Sequence, residues 1–428
     1  MKATNLEQAL RFFDPKKPLS GQDLRFWYIP RNYLPRKRMK ILLEASHEPL
    51  KILFVGHRGS GKTTELNKLS EELTDRFHAI GFNVLDITGR TTPEYEDLML
   101  AISTQVTLDC IRHGLVSRPL AEPVQRQWEK LRDWWRQIVA GASFEPAPAD
   151  ASFSVQLQTL LGQVELGAKQ SSVTRETLKF QINQKMPELI EHLNWVIGQA
   201  ESGGKRLLLI VEGLDKVDLK SALDIFRDHA PTITAPRAHM IYTFPVALRH
   251  NDEYNTVRLS FPDEHILRNR TVHHRDDAPD QASREFLEQV VRARLDERLI
   301  TQEALNLLVE ANGGLPVWLV VLMRSATLFA LERIGGAEGP ITVDDAHHAI
   351  SELRRELMAP LSRRDLVVLR SRHRDRQLSN GTEEQRLLGN GSLIEYTNDV
   401  QWCDAHPVLW SVLEQTEASH DDSGSVDS

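Results

Sequence analysis

The sequence predicts an α/β fold, a parallel sheet covered by helices, followed by a helical region and a small mixed C-terminal unit. Three observations carry this. Short apolar runs at Lys51–Val55, Lys205–Val211 and Met240–Phe244 alternate with stretches of helical periodicity. The first run stops at a glycine-rich loop, Gly56-His57-Arg58-Gly59-Ser60-Gly61-Lys62-Thr63, which leads straight into a helical pattern. From Gln281 to Leu357 the periodicity is helical throughout.

Taken in order, residues 1–50 read as a polar lead-in with an aromatic cluster at Phe26-Trp27-Tyr28 and a basic one at Arg36-Lys37-Arg38. A core spans 51–265. Its first strand is Lys51–Val55 and a helix follows over Lys62–Leu73. A second strand is expected over Phe82–Ile87, and a helix starts near Pro93, where Glu94 and Glu96 suit the positive end of the dipole. Residues from about 115 to 200 read as a helical insertion, with Trp128, Trp134 and Trp135 on a charged helix and a linker over 144–150. A helix capped by Thr174 closes it at about Gln199. The strands at 205–211 and 240–244 come next, and a third is expected over Val257–Phe261. The helical region 281–357 breaks at Gly313-Gly314-Leu315-Pro316 and at Gly335-Gly336. Within 360–416 the pattern is helix, break, helix, a hairpin of Ser392–Tyr396 and Val400–Cys403, and a helix from about His406. Residues 417–428 form an acidic tail expected to be disordered.

Composition bounds the function. With 428 residues, 41% hydrophobic and 26% charged, the chain is globular and long enough for two to four domains. A net charge of −8 excludes a protein basic all over, though not a local basic patch. Two cysteines, Cys110 and Cys403, exclude a disulfide scaffold and a four-cysteine zinc site. Residues 1–7 lack the apolar core of a signal peptide, and no apolar run approaches the roughly 20 residues of a membrane span. The expectation is a cytoplasmic protein without membrane contact. His273 and His274 lack paired ligand spacing and are not read as a metal site.

The chemistry lies in the loop after the first strand. It fits G-x-x-x-x-G-K-[ST] in the strand-to-helix context that the motif requires. Gly56, Gly59 and Gly61 let the backbone turn so that N–H groups of the loop, through His57, Arg58, Ser60 and on to Thr64, face one phosphate. The helix N-terminus adds positive potential. Lys62 would reach the terminal phosphates of a nucleotide, and the Thr63 hydroxyl would ligate Mg²⁺. The strand Leu207–Val211 ends in Glu212-Gly213-Leu214-Asp215, which supplies the acidic half of the site. Glu212, where aspartate is more usual, is the expected second metal ligand, and Asp215 the backup ligand or the group that orients water. Thr243, deep in the next strand, is the candidate γ-phosphate sensor; an ordinary buried β-branched residue is the other reading.

These residues, with the order phosphate loop, acidic strand tip, polar strand, helical lid and C-terminal hairpin unit, resemble AAA+ ATPases, especially their origin-recognition-like and STAND branches. The resemblance implies ATP and Mg²⁺ as cofactors and a five-stranded core in the order 5-1-4-3-2. It also implies a lid over the nucleotide and subunits meeting at ATP, with an arginine given by a neighbour; Arg227, Arg237 and Arg249 are candidates. Gly314-Leu315-Pro316 resembles the STAND lid motif, which places Pro316 near the nucleotide base and implies a slow switch. The stretches GHRGSGKTTEL and VEGLDK look like bacterial ATPases of phage-defence or mobile-element loci, which implies a partner effector. The C-terminal unit resembles a winged helix. From Arg354 to Arg376 it carries eight arginines and three acids, a net of +5, so DNA is a possible partner. The leading expectation is an oligomeric regulatory ATPase. The alternatives are an ATP-dependent DNA-binding loader or transposition regulator, and a nucleotide-gated interaction module with negligible turnover.

Overall fold

A computed structural model describes residues 1–31, 35–114, 122–139, 153–397 and 400–414. Five strands form one parallel sheet: β1 (Lys51–Val55), β2 (Phe77–Asn83), β3 (Arg206–Glu212), β4 (His239–Phe244) and β5 (Asp263–Ile266). The spatial order is β2-β3-β4-β1-β5, the 5-1-4-3-2 order that the resemblance implies. Every residue of β4 and all but the ends of β3 are buried, so both faces are covered and the strands read as continuous apolar runs.

Two expected strands fold otherwise. Over Phe82–Ile87 only the first two residues are strand. Asn83 accepts from Leu85 N at 3.0 Å and caps a short helix, Val84–Thr88, so the true strand lies upstream. It was masked by Gly81 and by a half-exposed edge position, where β2 alternates weakly. Val257–Phe261 falls on the helix Tyr254–Ser260, which buries Val257 and Phe261 four positions apart. The edge strand β5, Asp-Glu-His-Ile, is too polar and short to announce itself.

The major helices are α1 (Lys62–Leu73), α2 (Tyr95–Arg112), α3 (Glu122–Ile138), α4 (Phe153–Gln170), α5 (Ser172–Gln184) and α6 (Met186–Glu201). The helix expected from Thr174 is two: Ser171 caps α5, Lys185 breaks the chain and α6 follows. Trp128, Trp134 and Trp135 are buried, and the Trp134 indole donates to Glu188 at 2.7 Å, so the three are core. The linker at 144–150 lies outside the described residues, as does the tail at 417–428.

The lid comprises α7 (Gln281–Arg292), α8 (Gln302–Ala311), α9 (Pro316–Ile334) and α10 (Val343–Met358). Two helices, α11 (Arg363–Asp375) and α12 (Thr382–Asn390), precede the antiparallel hairpin β6 (Leu393–Thr397) and β7 (Gln401–Ala405), the helix–helix–wing order of a winged helix. The helix expected from about His406 begins as a 3₁₀ turn, Pro407–Leu409, and continues as α-helix over 410–414, where the described residues end.

Candidate nucleotide site

The phosphate loop leaves β1 at Val55 and enters α1 at Lys62. Gly59 and Gly61 have φ of +85° and +96°, conformations closed to most side chains. The parallel register brings the ends of β1, β3 and β4 together: Phe54 lies opposite Thr243, and Val211 opposite Tyr242. Glu212, Asp215 and Thr243 therefore converge on the loop at the carboxyl ends of the strands.

The contacts pair off. Lys62 Nζ donates to the carbonyls of Gly56 (2.6 Å) and His57 (2.9 Å) and to Asp215 Oδ2 (2.8 Å), so all three of its protons are used. Thr63 Oγ1 donates to Glu212 Oε2. Burial works to raise the Asp215 pKa, but the adjacent Lys62 ammonium and a hydrogen bond with Thr243 hold the carboxyl below its ordinary value. Glu212 goes the other way. Its burial outweighs the Thr63 hydrogen bond and raises its pKa. Two carboxylates three positions apart thus have distinct partners and opposite tendencies. The hydroxyl–carboxylate pair Thr63–Glu212 is a hard-oxygen set that fits Mg²⁺, with no soft ligand to favour another ion. Buried Ser60 Oγ lacks a partner, as a loop awaiting an anion would leave it.

The lid sits on this loop. Val317 N, at the start of α9, donates to Gly59 O at 3.2 Å, and a Cβ at Gly59 would lie 1.9 Å from Val317 Cγ1. Pro316 occupies the first helical position beside it. Arg58 is exposed and the Thr64 hydroxyl accepts from Leu19 N at 3.4 Å.

Two features escaped the sequence reading. Arg31 is buried against the loop, donating to Ser60 O and, at 3.2 Å, to Arg268 O. Burial pulls its pKa down to about 10, and neighbouring Arg270 adds repulsion. The ring of Phe286 lies 5.8 Å from the Arg31 guanidinium and 4.6 Å from that of Arg270. Glu65 offsets part of this burial, and the sequence signal for Arg31 was an arginine after Ile29-Pro30. The second is His57, whose Nε2 accepts from Glu395 N of β6 at 3.0 Å. No local pattern reports a contact 338 residues apart.

Glu395 itself is held by His250 Nε2 (2.8 Å), Gln401 Nε2 (2.6 Å) and Arg249 (3.6 Å). Of the arginines considered for a neighbour's site, Arg249 also pairs with Glu264 and Arg227 with Asp228, both within the chain; Arg237 donates its backbone N–H to Asn194. Much of the basic stretch is likewise spent internally. Arg354 and Arg370 bond the Val408 and Leu413 carbonyls, Arg372 pairs with Asp375, and Arg376 with Asp277 and Asp404.

Sheet order and phosphate loop define a P-loop α/β fold with the AAA+ strand order, followed by a helical lid and a C-terminal winged-helix unit. No family model and no curated protein matches the chain. Among solved structures it is similar to a Walker-type ATPase of Pyrococcus abyssi (16% identity, 94% of this chain and 99% of that one, TM-score 0.49). It is also similar to Cdc6p of Pyrobaculum aerophilum (12%, 96% and 98%, 0.42). A third is the RuvB Holliday-junction branch migration motor of Thermotoga maritima (11%, 94% and 99%, 0.39). Among the described residues, no helix is long and apolar enough to cross a membrane.

Proposed function

We propose that the chain is a Mg²⁺-dependent ATPase that works as a slow switch. The observation that carries this is the double pairing across the phosphate loop, Lys62 with Asp215 and Thr63 with Glu212. Thr63 and Glu212 would hold Mg²⁺, which supplies charge neutralisation at the phosphates. Lys62 would exchange its loop carbonyls and Asp215 for phosphate oxygens. Asp215, relieved of that partner and still bonded to Thr243, is then the carboxylate free to orient water. Positioning and charge stabilisation do the remaining work, completed by an arginine from a second copy on oligomerisation.

The switch reading is supported by the lid and hairpin, both bonded to the loop that would carry the nucleotide. The output would pass to a partner effector. Its placement in antiphage defence rests on the resemblance of GHRGSGKTTEL and VEGLDK alone. The DNA-binding alternative loses ground because so many of the C-terminal arginines serve internal bonds. The test is nucleotide binding and turnover of wild type beside Lys62→Ala, with mass measured in ADP and in a non-hydrolysable ATP analogue. Nucleotide binding that survives Lys62→Ala unchanged would overturn the site.

A further inference from the structure

Away from the phosphate loop, two histidines meet at one carboxylate. His78 stands near the start of edge strand β2. Asp109 lies in the last turn of α2, and His113 follows one turn later, just past its end. His78 Nε2 is 2.5 Å and His113 Nδ1 3.2 Å from the same oxygen, Asp109 Oδ2. The two imidazole rings stand 4.8 Å apart at 71°, and the three ligand atoms all lie within 4.8 Å of one another. The side chain of His113 is 55% exposed, which leaves an entry path and a position for water.

We propose that His78, Asp109 and His113 bind a Zn²⁺-class divalent ion. Two imidazoles and a carboxylate form a borderline donor set, which suits Zn²⁺ or Co²⁺ and does not suit Mg²⁺ or Ca²⁺. Bonds of about 2.0–2.2 Å in a tetrahedral site separate ligands by about 3.3 Å. His113 Nδ1 and the Asp109 carboxylate already have that spacing; Nδ1 also lies 3.0 Å from the Asp109 backbone carbonyl, a contact that the ion would replace, and His78 must withdraw slightly. The 109/113 pair is preset by the helix, one turn apart on one face. The neighbouring Cys110 is buried. Any proton that an imidazole shares with the carboxylate leaves as the ion enters.

The site is distinct from the nucleotide's. His78 pairs in register with Leu207, whereas Asn83, five residues on, pairs with Glu212. Five strand residues are about 17 Å, so the ion would sit toward the opposite end of the sheet. There it would fasten the exposed edge strand to the end of α2. This role is structural and does not depend on ATP chemistry.

The experiment is calorimetric titration of the metal-stripped full chain with Zn²⁺, and with Mg²⁺ for comparison. Wild type, His113→Ala and the His78→Ala/His113→Ala double variant are compared. Circular dichroism melts verify that each is folded, and His113, being exposed, can be removed without opening the core. Wild type should take up one Zn²⁺, should gain thermal stability from it, and should ignore Mg²⁺ at this site. His113→Ala should weaken Zn²⁺ at least tenfold and the double variant at least a hundredfold. Co²⁺ should give visible absorption bands in wild type that the double variant lacks. The proposal falls if wild type takes up no Zn²⁺, or if either variant keeps wild-type affinity.

Discussion

His57 and Glu395 join the phosphate loop to the C-terminal hairpin: the imidazole Nε2 accepts the Glu395 backbone N–H at 3.0 Å. The Glu395 carbonyl accepts from Asn269, and its carboxylate from His250 in the turn that follows β4. The phosphate loop, the segment after β4 and the hairpin therefore share one residue. A ligand that reshapes the loop around His57 should change the hairpin as well. Hydrogen exchange over residues 393–405 is expected to differ between nucleotide-free and ATP-analogue-bound protein, and not to differ in Lys62→Ala. His57→Ala leaves the buried Glu395 N–H without an acceptor and should cost about 1–3 kcal/mol in denaturant unfolding.

The two acids should separate in kinetics. Asp215→Asn removes the charge that faces Lys62 and the candidate group for water, and should lower ATP turnover about 10²–10⁴-fold. Glu212→Gln should weaken the Mg²⁺ dependence, with nucleotide binding kept in both variants. Turnover that survives both substitutions would show that the acids of β3 are not the reactive pair.

Arg31 contributes a buried positive charge at Ser60, and hydrogen bonds to charged groups contribute about 1.5–3 kcal/mol. Arg31→Ala should weaken ATP about tenfold or more, measured by fluorescence titration, with a smaller effect on ADP if the guanidinium serves the terminal phosphate. Arg31→Lys should restore part of the loss, since the ammonium keeps the charge but lacks the planar fork whose two nitrogens reach the Ser60 and Arg268 carbonyls.

Acid should destabilise the fold before its carboxylates protonate. Burial lowers the pKa of His57 to about 4, of His239 to about 4 and of His406 to about 3. For His239, the Arg206 and Lys51 charges add to the effect. Each stays neutral in the folded chain while its unfolded counterpart takes a proton below about 6.5. The unfolded state then binds more protons, so stability falls as pH drops from about 6.5 toward 4. Glu395, held down to about 2 against its burial by His250 and its cationic neighbours, has the depressed-carboxylate sign: its contribution is present above about 4.5 and is lost only as pH falls toward 2. Thermal melts across pH 4–8 should show the histidine slope first, and His406→Gln, if it packs, should flatten it.

Gly59 sets how closely the lid can sit. Gly59→Ala introduces a positive-φ alanine and a Cβ overlapping Val317. It should destabilise the protein by more than the roughly 1–2 kcal/mol of the backbone strain alone. Adding Val317→Ala removes the Cγ1 clash but keeps a 2.9 Å approach to Val317 Cβ, so it should recover only part of the loss. The comparison of melts for single and double variants reads the Cγ1 share.

The sequence made the phosphate loop and the acids facing it legible because their signals are local: a glycine-lysine-threonine loop after an apolar strand, and acids at the tip of another. β1, β3 and β4 were equally plain, being buried on both faces. The sheet edges were not. β2 carries Gly81 and half-exposed positions, and β5 has one apolar residue in four. Short helices beside them, Val84–Thr88 and Tyr254–Ser260, imitate strands because one turn presents too few residues to reveal its period. The contacts of Arg31 and of Glu395 with the loop depend on tertiary proximity, which no window along the chain contains.

The opening thirty-one residues are stitched at both ends. Ala3 exchanges backbone bonds with Arg294 and Asp296, and Leu6 N reaches Ala337 O. Farther on, Leu19 meets Thr64 and Asn67 of α1, and Arg31 reaches Ser60. A strip sewn to two plates works as the spine of a book. That strip is one tie among several between lid and core, beside the bonds of Val317 N to Gly59 O and Arg270 N to Gly314 O. Cutting it between its two seams, with a protease site engineered near Lys16-Lys17, should loosen the lid from α1 and lower the melting temperature.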